Sequence, residues 1–294
     1  MRVAIIGSGV VGRATGIGLQ VHGNEVVFYD VDQEKCDYLR EKGFSIAKSI
    51  DEAVSHSDAS FICVQTPYND GGVDLTYLMN AVVDVARALR EGCYHVVAVR
   101  STVPPYTTRK VVVPLLYEHS GLKVGVDFGV CFNPEFLRET SALQDFLHPS
   151  RVVIGEVDRR AGDVLEELYR PFGAPIIRTS PEVAEMIKYV TNAFLATKIS
   201  FFNEVYLLCV ELGLDPDFVA ETAALDPRIG TYGIYGGKPF SGRCLPKDLK
   251  AFIRFFKERN VEPTLLSAVL AVNEKMEKMS EASKRENHEE RFLR

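Results

Sequence analysis

Residues 2–12 read Arg2-Val3-Ala4-Ile5-Ile6-Gly7-Ser8-Gly9-Val10-Val11-Gly12, an apolar run that ends on three glycines spaced G-x-G-x-x-G. A strand feeding such a turn, with a helix opening over 11–22, is the arrangement that lays a pyrophosphate on a helix N-terminus. Gly7 serves the tight turn, Gly9 lets the backbone approach the phosphates, and Gly12 lets helix and strand pack closely. The motif alone is weak. Its context strengthens it, because a second strand, Glu25-Val26-Val27-Phe28-Tyr29, ends on Asp30, 18 residues after Gly12. A carboxylate there hydrogen-bonds an adenosine ribose and repels a 2′-phosphate, so the predicted cofactor is NAD and not NADP. The fold class follows: α/β, a Rossmann-type, doubly wound, mainly parallel sheet.

Working outward, strands are predicted at 59–64, 95–99, 129–132, 151–154 and 174–177, with helices at 74–91, 106–119 and 158–170. Strands alternating with helical patterns imply βαβ units. Ligands of such sheets bind at the carboxyl ends of the strands. Three polar clusters fall there: Thr66-Pro67, Ser101-Thr102-Val103 and Asn133-Pro134-Glu135-Phe136-Leu137-Arg138-Glu139. Each alone reads as turn chemistry; together on one edge they describe a lined cleft.

At Ser180-Pro181 the pattern changes. A cap and a first-turn proline open a helix that runs to about Leu212 and stops at Gly213. Two domains are expected, 1–179 for the cofactor and 180–294 all-helical, with the long helix as a spine. Apolar residues on more than one face of that helix call for burial on several sides, by a second subunit among others. Lys188 and Asn192 lie four apart and share one face, which a solvated surface pair would also do. A glycine-rich loop from Asp226 to Arg243 is long for a compact domain and is read as functional. It leads into Ser241-Gly242-Arg243-Cys244-Leu245-Pro246-Lys247-Asp248. A helix starting near Pro246 sets Cys244 at its positive end, with Lys247 close by, conditions that favour a thiolate. Most single cysteines are inert packed thiols, so this reading leans on the rest of the chain.

Composition narrows the field. The 294 residues carry a formal net charge of −6, which does not suggest a nucleic-acid surface. No apolar run reaches the ~18 residues of a membrane span, and the glycine turn follows Met1 too closely for a signal peptide. The six cysteines are scattered, with no Cys-x-x-Cys pair, so reduced thiols and a cytoplasmic location are expected. No metal site is predicted.

Together the glycine fingerprint, Thr66-Pro67, Ser101-Thr102-Val103, the Asn133–Glu139 run, Lys188 with Asn192, Phe202-Asn203-Glu204, Arg228-Ile229-Gly230 and Gly242-x-Cys244-x-Pro246-Lys247-Asp248 resemble the UDP-glucose/GDP-mannose dehydrogenase family over nearly the whole chain. The resemblance implies oxidation of a nucleotide-sugar primary alcohol to a carboxylate with two NAD, through a thiohemiacetal and a thioester on Cys244. It implies that Lys188 and Asn192 stabilise the oxyanion, Thr102 and Asp248 hold the water, and Glu135 is the general base. It places Val10, Val11, Lys35, Thr66, Pro67, Thr102, Glu139 and Lys247 with the glycines and Asp30 on the cofactor. It places Glu135, Phe136, Leu137, Arg138, Lys188, Asn192, Arg228, Tyr232 and Gly242 on the substrate. Arg228 would reach across from a neighbouring subunit of a homodimer built on the 181–212 helix.

Ser241 departs from the family's Gly-Phe-Gly-Gly pattern before the cysteine, which bears on substrate fit. The family normally continues with a second α/β domain that binds the nucleotide part of the substrate, and its Phe-Lys-Pro-type opening motif is absent from this sequence, which bears on affinity and on closure of the cleft. Two other readings are carried: a short homologue that binds NAD and dimerises without turnover, and a one-step dehydrogenase resembling the 6-phosphogluconate and hydroxyisobutyrate enzymes. The cysteine motif weighs against the latter, since a single alcohol oxidation needs no thiol.

Overall fold

The computed structural model describes residues 1–242 and 244–292, with side chains through Ala282; Arg243 lies outside the described residues. Two compact units are present, Met1–Lys188 and Tyr189–Arg294.

The first unit is a layered α/β structure. Its elements are β1 (Arg2–Ile6), α1 (Val10–Val21), β2 (Glu25–Tyr29), α2 (Gln33–Glu41), β3 (Ser45–Ile46), α3 (Ile50–Ser55) and β4 (Ala59–Ile62). A small hairpin, β5 (Tyr68–Asn69) and β6 (Gly72–Val73), precedes α4 (Thr76–Ala88) and β7 (His95–Val99). A wide π-type turn at Thr108–Val112 enters α5 (Val113–Ser120). Then come β8 (Phe128–Phe132), α6 (Ala142–Leu147), β9 (Val152–Glu156), α7 (Arg159–Tyr169) and β10 (Ile176–Thr179).

The eight-stranded sheet runs β10-β9-β8-β7-β4-β1-β2-β3. All pairings are parallel except β8 with β9, where Cys131 faces Glu156 and Phe132 faces Gly155 in antiparallel register. Burial explains the apolar strands. Ala4 and Ile6 pack into one helical layer with Leu78, Val82 and Leu116, while Val3 and Ile5 pack into the other with Leu19, Phe61 and Leu165. Strands covered on both faces read as continuous apolar runs, not as alternation. Sequence order reverses between β1 and β4, which makes the carboxyl ends of those two strands the crevice of the sheet. α2, α3 and α6 escaped the sequence reading because each is nine residues or shorter, too brief to show helical periodicity.

The second unit is helical. It takes up α8 (Pro181–Leu212) from Tyr189 onward, then α9 (Pro216–Ala223), α10 (Leu245–Lys257) and α11 (Thr264–Phe292). Tyr189 stacks on Phe252 with ring centres 5.5 Å apart. Phe202, Ala220, Ala224 and Ile234 form a further cluster. The loop between α9 and α10 lies against α8, which accounts for Gly233, Gly236 and Gly237. A Cβ on Gly236 would stand 2.6 Å from the Phe202 carbonyl oxygen, and one on Gly233 would stand 2.9 Å from Ile199.

By length and composition α8 could cross a membrane: its most apolar 18-residue window has mean hydropathy 1.4 and is one-third buried. The helix is not a continuous apolar run, since charged and amide residues such as Glu185, Lys188 and Asn192 interrupt it. The same helix carries buried Glu185, Lys188, Asn192 and Asn203, groups that demand polar protein partners.

His95 is a buried titratable group in the strand core. Its Nδ1 lies 3.0 Å from the Ser57 carbonyl, which can only accept, so Nδ1 carries the proton and Nε2 accepts from Ser60 Oγ at 2.8 Å. Burial lowers its pKa to about 4 from 6.5, partly offset by the Ser57 bond and the nearby Asp58. Because the folded value is depressed, the associated stability is complete above pH 6.5 and is lost as pH falls towards 4. That amounts to about 3 kcal/mol. Urea unfolding of wild type and His95→Gln between pH 7 and 4 is expected to show the loss in wild type and a shallower curve in the variant.

Candidate active site

The cofactor end begins at the carboxyl tip of β1. Gly7 holds φ +96°, and a Cβ there would press within 2.9 Å of the Cys63 backbone after β4. A Cβ on Gly12 would meet the Gly7 carbonyl oxygen at 1.9 Å, so this glycine is needed for packing. Gly9 differs: a Cβ there would meet nothing within 4 Å. Gly9 is also the N-cap of α1 and supplies no side-chain cap. The fold thus leaves open space before uncapped helix N–H groups, the cradle that a pyrophosphate fits. Val10 and Val11 start that helix.

Asp30 is 8% exposed and has work to do within the protein. One oxygen accepts from Ser8 N at 2.6 Å and the other from Asp32 N at 3.0 Å, with Lys35 Nζ 3.6 Å away. The carboxylate therefore holds the glycine turn against β2, and each oxygen keeps a further lone pair.

The next edge segments are tied to one another. Thr66 Oγ1 donates to the Thr102 carbonyl at 2.7 Å, and Ser101 Oγ donates to the Val64 carbonyl at 2.5 Å. The Pro67 carbonyl accepts from Asp74 N. Burial pushes the Cys63 thiol up to about 12, with Arg100 opposing and Glu135 adding, so Cys63 is no nucleophile.

Beyond β8, Glu135 is buried. Lys188 Nζ reaches both its Oε1 and its backbone carbonyl at 2.7 Å, and Oε2 accepts from Leu137 N at 2.7 Å. Burial raises this carboxyl, but the charge and hydrogen bond of Lys188, the Leu137 N–H and Arg100 outweigh it, and the pKa lies below its ordinary value. The ion pair thus holds Glu135 ionised at neutral pH. Lys188 Nζ also stands 5.7 Å from the centre of the Phe136 ring, on which Arg151 stacks at 3.9 Å. The Arg138 guanidinium is bonded to Asp145, and Glu139 is exposed at the start of a short 3₁₀ turn.

In the second unit, Asn192 Nδ2 donates to Asp248 Oδ2 at 2.6 Å, and Lys247 Nζ lies 2.7 Å from Asp248 Oδ1. The latter contact is an ion pair without hydrogen-bond alignment, since neither atom gains a hydrogen-bond partner from it. Asp248 is 2% exposed. Cys244 is the exposed N-cap residue of α10, four residues before that carboxylate. Gly242 turns the chain at φ +84°. Tyr232 is partly exposed, and Arg228 is mostly exposed, paired with Asp226.

Three residues shape the loop before the cysteine: Asn203, which the sequence reading named in a motif without a task, and Asn273 and Lys198, which it missed. Asn203 accepts from Gly237 N and donates to the Lys238 carbonyl, both at 2.9 Å. Asn273 accepts from Phe240 N at 2.8 Å and donates to its carbonyl at 3.2 Å. Lys198 Nζ caps the carbonyls of Ile229 and Gly230 at 2.7 and 2.8 Å. A polar residue inside an apolar helical pattern was the available signal.

Comparison with known proteins decides the assignment. Residues 1–50 and 40–173 match the UDP-glucose/GDP-mannose dehydrogenase family, NAD binding domain, and residues 182–275 match the family's central domain. The chain belongs to this family. A GDP-mannose 6-dehydrogenase of Pseudomonas aeruginosa is 39% identical over 93% of this chain and 68% of its own length. UDP-glucose 6-dehydrogenase TuaD of Bacillus subtilis is 37% identical over 93% of this chain and 63% of its own. Among solved structures, a UDP-glucose dehydrogenase from the hyperthermophilic archaeon Pyrobaculum islandicum superposes with TM-score 0.86 at 41% identity, covering 93% of this chain and 68% of that one. As a member of the UDP-glucose/GDP-mannose dehydrogenase family the chain is an NAD-dependent nucleotide-sugar dehydrogenase, and the open cradle at Gly9 fits NAD. A 3-hydroxyisobutyrate dehydrogenase from Mycobacterium tuberculosis, at 17% identity and TM-score 0.72, shares the fold.

The cradle makes a discriminating prediction. Gly9→Asp supplies a strong N-cap and a negative charge where the phosphates would sit. Its melting temperature should match or exceed wild type while NAD affinity, by calorimetric titration, falls by an order of magnitude or more. Gly12→Val should lose both, with overpacking costing about 1–3 kcal/mol.

Proposed function

We propose that this chain oxidises the C6 primary alcohol of a UDP- or GDP-linked sugar to the carboxylate, through two oxidations at one carbon and covalent attachment to Cys244. The observation that carries this is the exposed Cys244 at the opening of α10, followed at i+4 by buried Asp248 between an amide and an ammonium. A thiol so placed serves an aldehyde and an acyl group, and an alcohol-to-ketone oxidation has no use for it.

Bound NAD supplies the hydride acceptor for both oxidations, one molecule for each. In the first, the alcohol loses a hydride and a proton and becomes an aldehyde. Cys244 Sγ then adds to the aldehyde carbon, and the thiol proton ends on the former carbonyl oxygen, giving a thiohemiacetal. Loss of a second hydride and of that hydroxyl proton leaves a thioester. Water cleaves the C–S bond, releasing the acid and restoring the thiol.

Glu135, ionised beside Lys188, is the proposed base for the hydrolytic water. Lys188 and Asn192 are the proposed donors to the developing oxyanion. Thr102 and Asp248 are the proposed partners of the water. The domain division at 179/180 and the cofactor-side roles of Lys35, Pro67, Glu139 and Lys247 belong to the same proposal.

A homodimer through α8 is part of it. Val190, Phe194, Phe201, Leu208 and Leu212 are each 51–64% exposed, at spacings that keep to one side of a helix. An exposed apolar stripe of this length marks an interface. Arg228, with its side chain 87% exposed, would serve the sugar bound to the second copy.

Two NADH per sugar, counted at limiting substrate over a panel of UDP- and GDP-sugars, is the expected stoichiometry. Cys244→Ala should abolish acid formation; unchanged steady-state acid production in that variant would sink the covalent route. Phe201→Glu should convert a dimer to a monomer in analytical ultracentrifugation, and an unaltered sedimentation coefficient would remove α8 as the interface.

A further inference from the structure

Glu185 is fully buried, and the chemistry above gives it no task. Among the described residues it has no ion-pair partner. Its Oε2 accepts from Tyr106 N at 2.6 Å and its Oε1 from Thr108 N at 2.8 Å. Glu182, one turn earlier on α8, is committed to Arg109, and Lys188, one turn later, to Glu135. Burial pushes the Glu185 carboxyl up to about 7, the Thr108 and Tyr106 bonds offset this only in part, and Glu182 adds to the rise. A carboxylate buried on these terms weakens the fold unless the groups that it binds need it.

Those groups belong to the segment that follows β7. Tyr106 is one of two non-glycine residues with positive φ among the described residues, at +76°. Pro104 and Pro105 precede it and offer no N–H. Backbone in this region is costly for a side-chain-bearing residue and persists only where neighbours hold it. Thr107 fastens the turn by bonds from its N and Oγ1 to the Pro104 carbonyl. On the other side the segment is tied to β4 through Ser101 and Thr66, the latter bonding the Thr102 carbonyl. Thr102 thus sits on a span anchored at both ends, at one of them by Glu185.

We infer that Glu185 is a positioning residue: its carboxylate clamps the strained Tyr106–Thr108 backbone and so fixes Thr102 for the reaction. The same helix face holds the Glu135 segment through Lys188 one turn on, so the first three turns of α8 fasten two adjacent loops of the sheet edge. The functional half of the inference rests on the proposed role of Thr102; the clamp itself does not.

Three variants test it. Glu185→Leu removes both acceptors, Glu185→Gln keeps one carbonyl, and Glu185→Leu with Tyr106→Gly removes the acceptors together with the strain. Hydrogen exchange of the Tyr106 and Thr108 amides should accelerate at least about tenfold in Glu185→Leu and less in Glu185→Gln. In the same order kcat should fall, with KM for the sugar nucleotide unchanged. The glycine double variant should recover most of the lost kcat, because glycine adopts positive φ freely. Unchanged exchange at both amides in Glu185→Leu overturns the clamp. A fall in kcat that Tyr106→Gly fails to rescue overturns its link to Thr102. Should the wild-type chain turn over no sugar nucleotide, the exchange experiment still decides the clamp, and the failure falls on the proposed reaction alone.

Discussion

A carboxylate and an ammonium 2.7 Å apart, both screened from water, set the terms for the carboxyl edge of the first unit. Glu135 and Lys188 could not be buried singly; each would cost several kcal/mol without the other. Their pairing requires β8 to end where it does, Asn133-Pro134 to turn the chain inwards, and α8 to present its third turn to that turn. Asn133 carries the other end of the load. Its amide donates to the Val153 carbonyl, and its carbonyl oxygen accepts from Arg100 and from the Tyr169 hydroxyl. Arg100 is itself buried, and its contacts are neutral oxygens and the Phe146 face. Its charge is felt at Glu135 and Cys63, lowering both. Glu135 thus has two cations nearby, an environment that favours its negative charge.

Much of the fold was legible in the sequence because its signals are local. The glycine spacing, the apolar strands and the Ser180-Pro181 start of α8 each declare themselves within a few residues. The antiparallel turn of β9 was not legible, since Arg151–Ile154 is as apolar as its parallel neighbours and direction leaves no compositional trace. Of the site, the residue types at Cys244, Asp248, Lys188 and Glu135 could be read. Their pairing could not: Lys188 and Asn192 share a helix face in sequence, yet their side chains are engaged by different partners, Glu135 and Asp248, far apart along the chain. Glu185 was equally silent, because a glutamate one turn before a lysine reads as a surface ion pair. Only tertiary structure shows each turning to a loop instead.

The loop before Cys244 makes the same point from backbone chemistry. Glycine permits it to lie flat on α8, but glycine does not hold it there. The fixing is done by amide side chains, Asn203 and Asn273, each bonding a donor and an acceptor of the loop at once. An asparagine can satisfy both groups of a peptide where no strand is available. A long irregular loop otherwise carries unpaired polar backbone that burial penalises, so these two residues allow it to be long and still ordered.

Glu135 and Asp248 are built alike in outline, but the ammonium is aligned as a hydrogen bond only at Glu135, and the donors to the second oxygen differ. Each has an ammonium at 2.7 Å on one oxygen; the other oxygen accepts from a backbone N–H in Glu135 and from a side-chain amide in Asp248. A carboxylate whose lone pairs are engaged by a cation is a weak base, in keeping with the lowered pKa of Glu135 beside Lys188. Lys188 is the partner with somewhere else to go. If a negative oxygen develops near Lys188, as the proposed thiohemiacetal and tetrahedral steps require, the ammonium is shared and its hold on Glu135 weakens. The carboxylate then regains proton affinity at the stage where a proton must be taken from water. One ion pair can in this way keep the proposed base ionised while the substrate arrives and strengthen it at the proposed hydrolytic step, with no change of fold.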